Sequence, residues 1–159
     1  MNAITKELTQ LMADTEAYML SLTSDELAYR YAPGKWSKKE ILGHLIDSAI
    51  NNLQRFTEIQ YAPQPYQSRD YAQDDLVRVN NYHQADVKHL LQLWLSLNRR
   101  IIQVIDNLTV DPTTTMLIYR EGKGNLKWLI TDYVTHMKHH LRQIHGEQST
   151  YIFEPKVLD

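Results

Sequence analysis

Four of the chain's seven histidines fall within the ten positions from His136 to His145. A neutral imidazole offers one ring nitrogen to a divalent metal, and two imidazoles four residues apart on a helix stack one turn apart, where both can reach one ion. His136 and His140 have that spacing. With Leu126 set at zero on a wheel of about 100° per residue, His140 falls near 320°, inside an apolar arc of Ile130, Tyr133, Met137 and Ile144. On the same wheel His136 lies on the flank of the arc at about 280°, while His139 near 220° and His145 near 100° point elsewhere.

A third imidazole lies far upstream, in KWSKKEILGHLIDSAINNLQRF. Relative to Ile41, His44 sits at about 300°, with Asn51, Arg55 and Ser48 between about 280° and 340°. These residues form a polar stripe beside an apolar face made by Leu45, Ala49, Leu53, Phe56 and Ile59. Such a stripe is expensive to bury unless it is paired or solvated in a cavity, so it marks a candidate site. Three imidazoles on two helices could hold one ion and leave coordination positions open to water or substrate, as catalytic sites do. His83 and His89 are six apart, about 240° around a helix, so they cannot chelate together and surface positions are expected for both. The chain has no cysteine, which excludes disulfides, thiolate ligands and a cysteine nucleophile.

Four periodic segments must position these residues. Glycines and prolines, five of each, gather in clusters that divide the chain into helices at about 3–22, 37–60, 84–108 and 125–146. Ser37 and Glu40 form a capping box at the start of the second, Asn125 is an N-cap and Gly146 a C′ glycine for the fourth. The expectation is an all-α, four-helix bundle with little or no sheet, one domain over residues 1–159. The linker of about residues 61–83 is long enough for a crossover between helices two and three, with a short helix near Gln73–Asn80. MLIYREGKGN, residues 116–125, suits a short hairpin, and Tyr151, Ile152 and Phe153 would pack the tail on the bundle. Tyr133 is expected in the core. Tyr18, Trp94 and Trp128 are surface candidates for a dimer face.

Seventeen basic against nineteen acidic residues, a formal charge of -2, argue against a nucleic-acid partner. No apolar run approaches a membrane span and the N-terminus lacks signal-peptide organisation, so no membrane partner and a cytoplasmic location are expected.

Taken together, GKWSKKEILGHLIDSAINNLQRF and VTHMKHHLRQI resemble the DinB-like superfamily, also called YfiT-like metalloenzymes. The first carries that family's W-S-x-x-E-x-x-x-H-L pattern with trailing asparagines and arginine, and the second its H-x-x-x-H-x-x-Q-I helix; YAQDDL is similar to a linker found in many members. The resemblance implies a bundle with non-sequential helix order, often dimeric. It also implies a divalent ion, zinc or nickel or sometimes iron, on His44, His136 and His140. Some relatives have an acidic residue at the position of His136; His139 matches an additional histidine that is usually not a ligand.

Members of known activity imply a small-molecule reaction in which a low-molecular-weight thiol such as bacillithiol or mycothiol attacks an electrophile. Two alternatives stand beside that reading. One is metal-assisted hydrolysis with water at the ion as nucleophile, which needs a nearby base. No glutamate shares the His136–His140 face, and Asp132 lies one turn before His136 at about 240°, which weighs against it. The other is non-enzymatic metal or small-ligand binding. Asn51, Arg55 and Trp36 are pocket candidates. For Arg55 a salt bridge to Asp74 or Asp75 competes with substrate binding, and for Trp36 helix packing does. Gln143, beside His136 on the wheel, is a candidate to orient a ligand, with an ordinary inter-helix hydrogen bond as the plainer account.

Overall fold

The computed structural model describes residues 2–120 and 122–147; the expected packing of Tyr151, Ile152 and Phe153 lies outside them. Four long helices form the bundle: α1 (Asn2–Ser21), α3 (Lys38–Glu58), α5 (Val87–Asp106) and α6 (Leu126–Ile144). Between them lie two short helices, α2 (Ser24–Ala28) and α4 (Gln73–Val79), and a 3-10 turn at Tyr82–Gln84. Three short strands complete the fold, β1 (Tyr66–Gln67), β2 (Met116–Tyr119) and β3 (Gly122–Asn125). Both long-range N-caps are as the sequence suggests. Ser37 and Glu40 make a reciprocal capping box on α3, and the Asn125 side chain accepts the Trp128 amide on α6. Asp86 caps α5 by accepting from the Lys88 and His89 amides.

Helix order is non-sequential. The N-terminus of α3 lies beside the approach to α5, where Lys39 Nζ donates to the Ala85 carbonyl. The two C-terminal ends also meet, through the Thr109 amide donating to Gln60 Oε1. Helices α3 and α5 therefore run parallel, and a parallel pair needs a return segment along the bundle. Residues 61–83 supply it, so the long linker is a crossover. Helix α6 runs antiparallel to α3: Lys38 Nζ donates to the Ile144 carbonyl at one end, and Phe56 packs edge-on against Tyr133 at 5.8 Å nearer the other.

The linker is locked onto α3 at a glycine. The Tyr82 ring lies so close to Gly43 that a Cβ there would be 2.1 Å from the ring. The Tyr82 hydroxyl donates to Asp47 Oδ1 at 2.7 Å and Asn80 Nδ2 donates to the same oxygen.

Expected and observed elements differ in three ways. β1 joins the expected hairpin as a parallel third strand on β2, pairing Tyr66 with Leu117; its two residues carry too little pattern to be read in sequence. Helix α2 went unforeseen although TSDE, residues 23–26, is itself a capping box. Trp94, expected at the surface, is completely buried because it belongs to the inward apolar stripe of α5. Tyr18 and Trp128 are half-buried, with Tyr18 against His145 at 4.1 Å and Trp128 stacked on Tyr119 at 4.9 Å. His89 is exposed as expected, whereas His83 is half-buried with Nδ1 3.2 Å from Ser37 Oγ. Among the described residues no helix is long and apolar enough to cross a membrane.

Two outcomes follow for stability. An alanine in a helix normally gains about 1 kcal/mol over glycine. At position 43 the clash with Tyr82 outweighs it, and Gly43→Ala should lose about 2–3 kcal/mol in urea unfolding; an unchanged midpoint would refute the lock. Glu40 is the second case. Burial raises its pKa, but the two-pronged bond from Arg30 (2.8 and 2.5 Å) and the Ser37 amide and hydroxyl bring it down to about 2. A carboxylate depressed from 4.5 contributes stability that is complete above that value and lost as pH falls toward about 2. Arg30 is half-exposed, so the contribution is on the order of 2 kcal/mol. Glu40→Gln should be less stable than wild type at neutral pH, with the difference closing as both are acidified; a constant difference would contradict this ionic origin.

Candidate metal centre

Antiparallel packing sets His44, in the second turn of α3, opposite the C-terminal half of α6. His44 Nε2 lies 3.2 Å from His136 Nε2, which lies 3.1 Å from His140 Nε2. The three donor atoms all fall within 4.8 Å of one another. Nitrogens about 2.0–2.1 Å from a tetrahedral ion stand about 3.3 Å apart, so these separations suit one divalent ion. His139, although adjacent, turns away and places its Nε2 3.0 Å from the Gln143 amide nitrogen.

Protonation also fits. Burial, followed by the proximity of His140 and His139, pushes the His44 pKa down to about 3. Burial pushes His140 down to about 4 against the opposing effect of Gln143. His136 is held well below its ordinary value by burial and by His140 and His44. All three are therefore neutral near pH 7, the state a ligand requires. His140 Nδ1 lies 2.9 Å from Gln143 Oε1, an oxygen that can only accept. The proton of His140 is thus on Nδ1 and its lone pair on Nε2 points to the centre. Gln143 orients His140, not the His136 beside which the wheel put it, because side chains three apart meet on one face. His44 Nδ1 is buried with no hydrogen-bond partner, and the ring is steadied instead by Trp36, 5.0 Å away.

A cavity of about 520 Å³ opens on His136 and His140, and Trp36, Arg55, Tyr119, Trp128 and Asp132 contribute to its wall. A chamber of about 160 Å³ lies next to it, formed by Ser48, Asn52, Tyr71 and Tyr133 together with the shared Arg55, Asp132 and His136. The first volume is within the usual range for small-molecule sites.

Trp36 and Arg55 thus line the space as the sequence suggested. Asn51 does not: its amide folds back to the Asp47 carbonyl at 2.8 Å, and Asn52 occupies the chamber wall instead. Wheel positions a residue apart are poorly separated at a helix flank, which explains the exchange. Arg55 does not pair with Asp74 or Asp75; Asp75 pairs with Arg78, and Arg55 donates to the Arg69 carbonyl. Tyr133 is core, its hydroxyl donating to Asn98 Oδ1 at 2.6 Å. Asp132, set aside in sequence because it lies off the histidine face, reaches both cavities since they wrap around that side of α6. Tyr119 and Trp128 carried no sequence signal for a site; their position depends on the hairpin.

The sequence profile of the DinB superfamily matches residues 7–144. The chain belongs to the DinB superfamily. Among DinB relatives, a Halalkalibacterium halodurans protein described as a "putative metal-dependent hydrolase" is 26% identical over 140 residues, spanning 87% of this chain and 81% of that protein. A Bacillus pumilus protein of the same description is 24% identical, spanning 87% and 79%. The fold is shared with Bacillus subtilis YfiT, described as a probable metal-dependent hydrolase with an unusual four-helix bundle topology. There the TM-score is 0.82 at 22% identity, covering 91% of this chain and 83% of that one.

Zinc titrated into metal-free protein should distinguish the histidines of this DinB site. His140→Ala should bind at least about 100-fold more weakly, since two imidazoles chelate poorly, and His139→Ala within a few-fold of wild type. Because the folded-state imidazoles titrate far below ~6.5, affinity should persist below that pH and fail only as pH descends toward about 4. Equal losses in the two variants, or a midpoint near ~6.5, would count against the assignment.

Proposed function

We propose that the protein is a metal-dependent hydrolase of a small molecule, with a zinc or nickel ion on His44, His136 and His140. The observation that carries this reading is the convergence of three neutral imidazole nitrogens, two of them from residues that line a cavity which Asp132 also lines. Three nitrogen donors suit zinc and nickel, and no thiolate is available. A divalent ion so held lowers the pKa of water and polarises a carbonyl or phosphoryl oxygen.

The chain's own residues supply the rest. Asp132 takes the proton from the attacking water and returns it to the leaving group, the role of a general base that the α6 histidines cannot fill while they donate their lone pairs. Gln143 keeps His140 in the tautomer that faces the centre. Trp36 covers His44 and keeps bulk water from its side. Thiol transfer, the activity the resemblance favoured, gains no support from the relatives' descriptions, whereas hydrolysis agrees with them and with the place of Asp132.

The test is a panel of carboxylic, phosphoric and amide substrates turned over by metal-stripped and zinc- or nickel-reconstituted protein, with a parallel assay of thiol addition to electrophiles. Hydrolysis should appear only on reconstitution, and Asp132→Asn should lower kcat by about 10²–10⁴-fold while leaving metal affinity in place. Metal-dependent thiol addition without hydrolysis would overturn the reading.

A further inference from the structure

Arg55 is the one arginine or lysine among the described residues that line either cavity, and it stands where the two meet. It is half-buried and has no carboxylate partner among the described residues. Its hydrogen bonds run from Nη2 to the Arg69 carbonyl and, at 3.4 Å, from Nη1 to Asn52 Oδ1, with the Tyr71 ring 5.6 Å from the guanidinium carbon. Two of five N–H donors are thus engaged, and no carboxylate of the described residues lies within ion-pair distance. A half-buried guanidinium is expensive without a counter-ion, and its planar fork matches a carboxylate.

Part of the cavity wall is aromatic. Trp128 lies flat on Tyr119, with rings 17° from parallel. Gly124 permits this, because a Cβ there would come 2.6 Å from the Trp128 ring. Trp36 contributes a further indole beside His44 and His140.

We propose that Arg55 binds a carboxylate of the substrate and that Trp128 receives its flat apolar portion, so that the site selects small amphipathic monocarboxylic acids carrying the susceptible bond. Asp70 and Asp132 line the same cavity and disfavour a dianion, which points to a carboxylate over a phosphate monoester. The susceptible bond rests on the hydrolase reading; recognition of the acid does not.

Calorimetric titration of the full chain, metal-free and zinc-loaded, separates the two. The probes are 3-phenylpropionate, 3-phenylpropanol and 3-phenylpropylphosphonate. Metal-free wild type should bind the acid at least about tenfold more tightly than the alcohol, and the phosphonate less tightly than the acid. Arg55→Gln should abolish the preference for the acid and leave the alcohol unchanged; Arg55→Lys, which keeps the charge, should retain part of it and serves if the glutamine variant does not fold. Trp128→Ala should weaken acid and alcohol alike. An undiminished acid preference in Arg55→Gln, equal loss of both ligands there, no acid binding by wild type, or tighter binding of the phosphonate would each overturn the proposal. Failure of zinc to bind would instead overturn the hydrolase reading while leaving the acid preference to be judged in the metal-free protein.

Discussion

Three basic nitrogens held face to face, largely shielded from water, are unfavourable on their own. Burial penalises the charged form of each imidazole, and each ring loses contact with water. The cluster persists because the helices that carry it are fixed by other contacts. Lys38 ties the head of α3 to the last carbonyls of α6, the Phe56–Tyr133 edge contact aligns the far ends, and Tyr133 is anchored in turn to Asn98 on α5. Hydrogen bonds and packing away from the imidazoles thus do the holding. A site that is locally strained but globally over-determined is where function usually departs from stability.

The same principle explains how the pocket differs from the centre. The three donors come from two helices, whose registry is set by the whole bundle. The surrounding wall combines residues of the same two helices, Arg55, Trp128 and Asp132, with others from the hairpin, the crossover and the turn before α3.

Much of this was legible in sequence, for identifiable reasons. His140 and His44 stand on or beside strongly periodic apolar faces, so a wheel places them well. Ser37, Asn125 and Gly146 punctuate helices through local chemistry alone, and the length of residues 61–83 was enough to suggest a crossover. What escaped depends on contacts distant in the chain. Asn52 instead of Asn51 is decided by a single residue at a helix flank. Asp132 enters the site because the cavity bends round α6, and Tyr119 and Trp128 because the hairpin stacks one ring on the other. Trp94 was misplaced against its own pattern, since its position among Leu90, Leu91, Ile101 and Ile105 already assigned it inward.

Parallel α3 and α5 oblige the chain to travel back along the bundle before α5 can begin, and the path it takes passes the cavity at Ser68, Asp70, Tyr71 and Gln73. Connectivity therefore brings to the pocket a stretch that coordination does not need. Tyr82 over Gly43 fixes the downstream end of that stretch and the β1–β2 pairing its upstream end. Between these two moorings, insertions and replacements could accumulate without moving a single imidazole. Descendants of one ancestral centre could in this way come to accept different molecules, changing what is read while keeping the reader's grip intact.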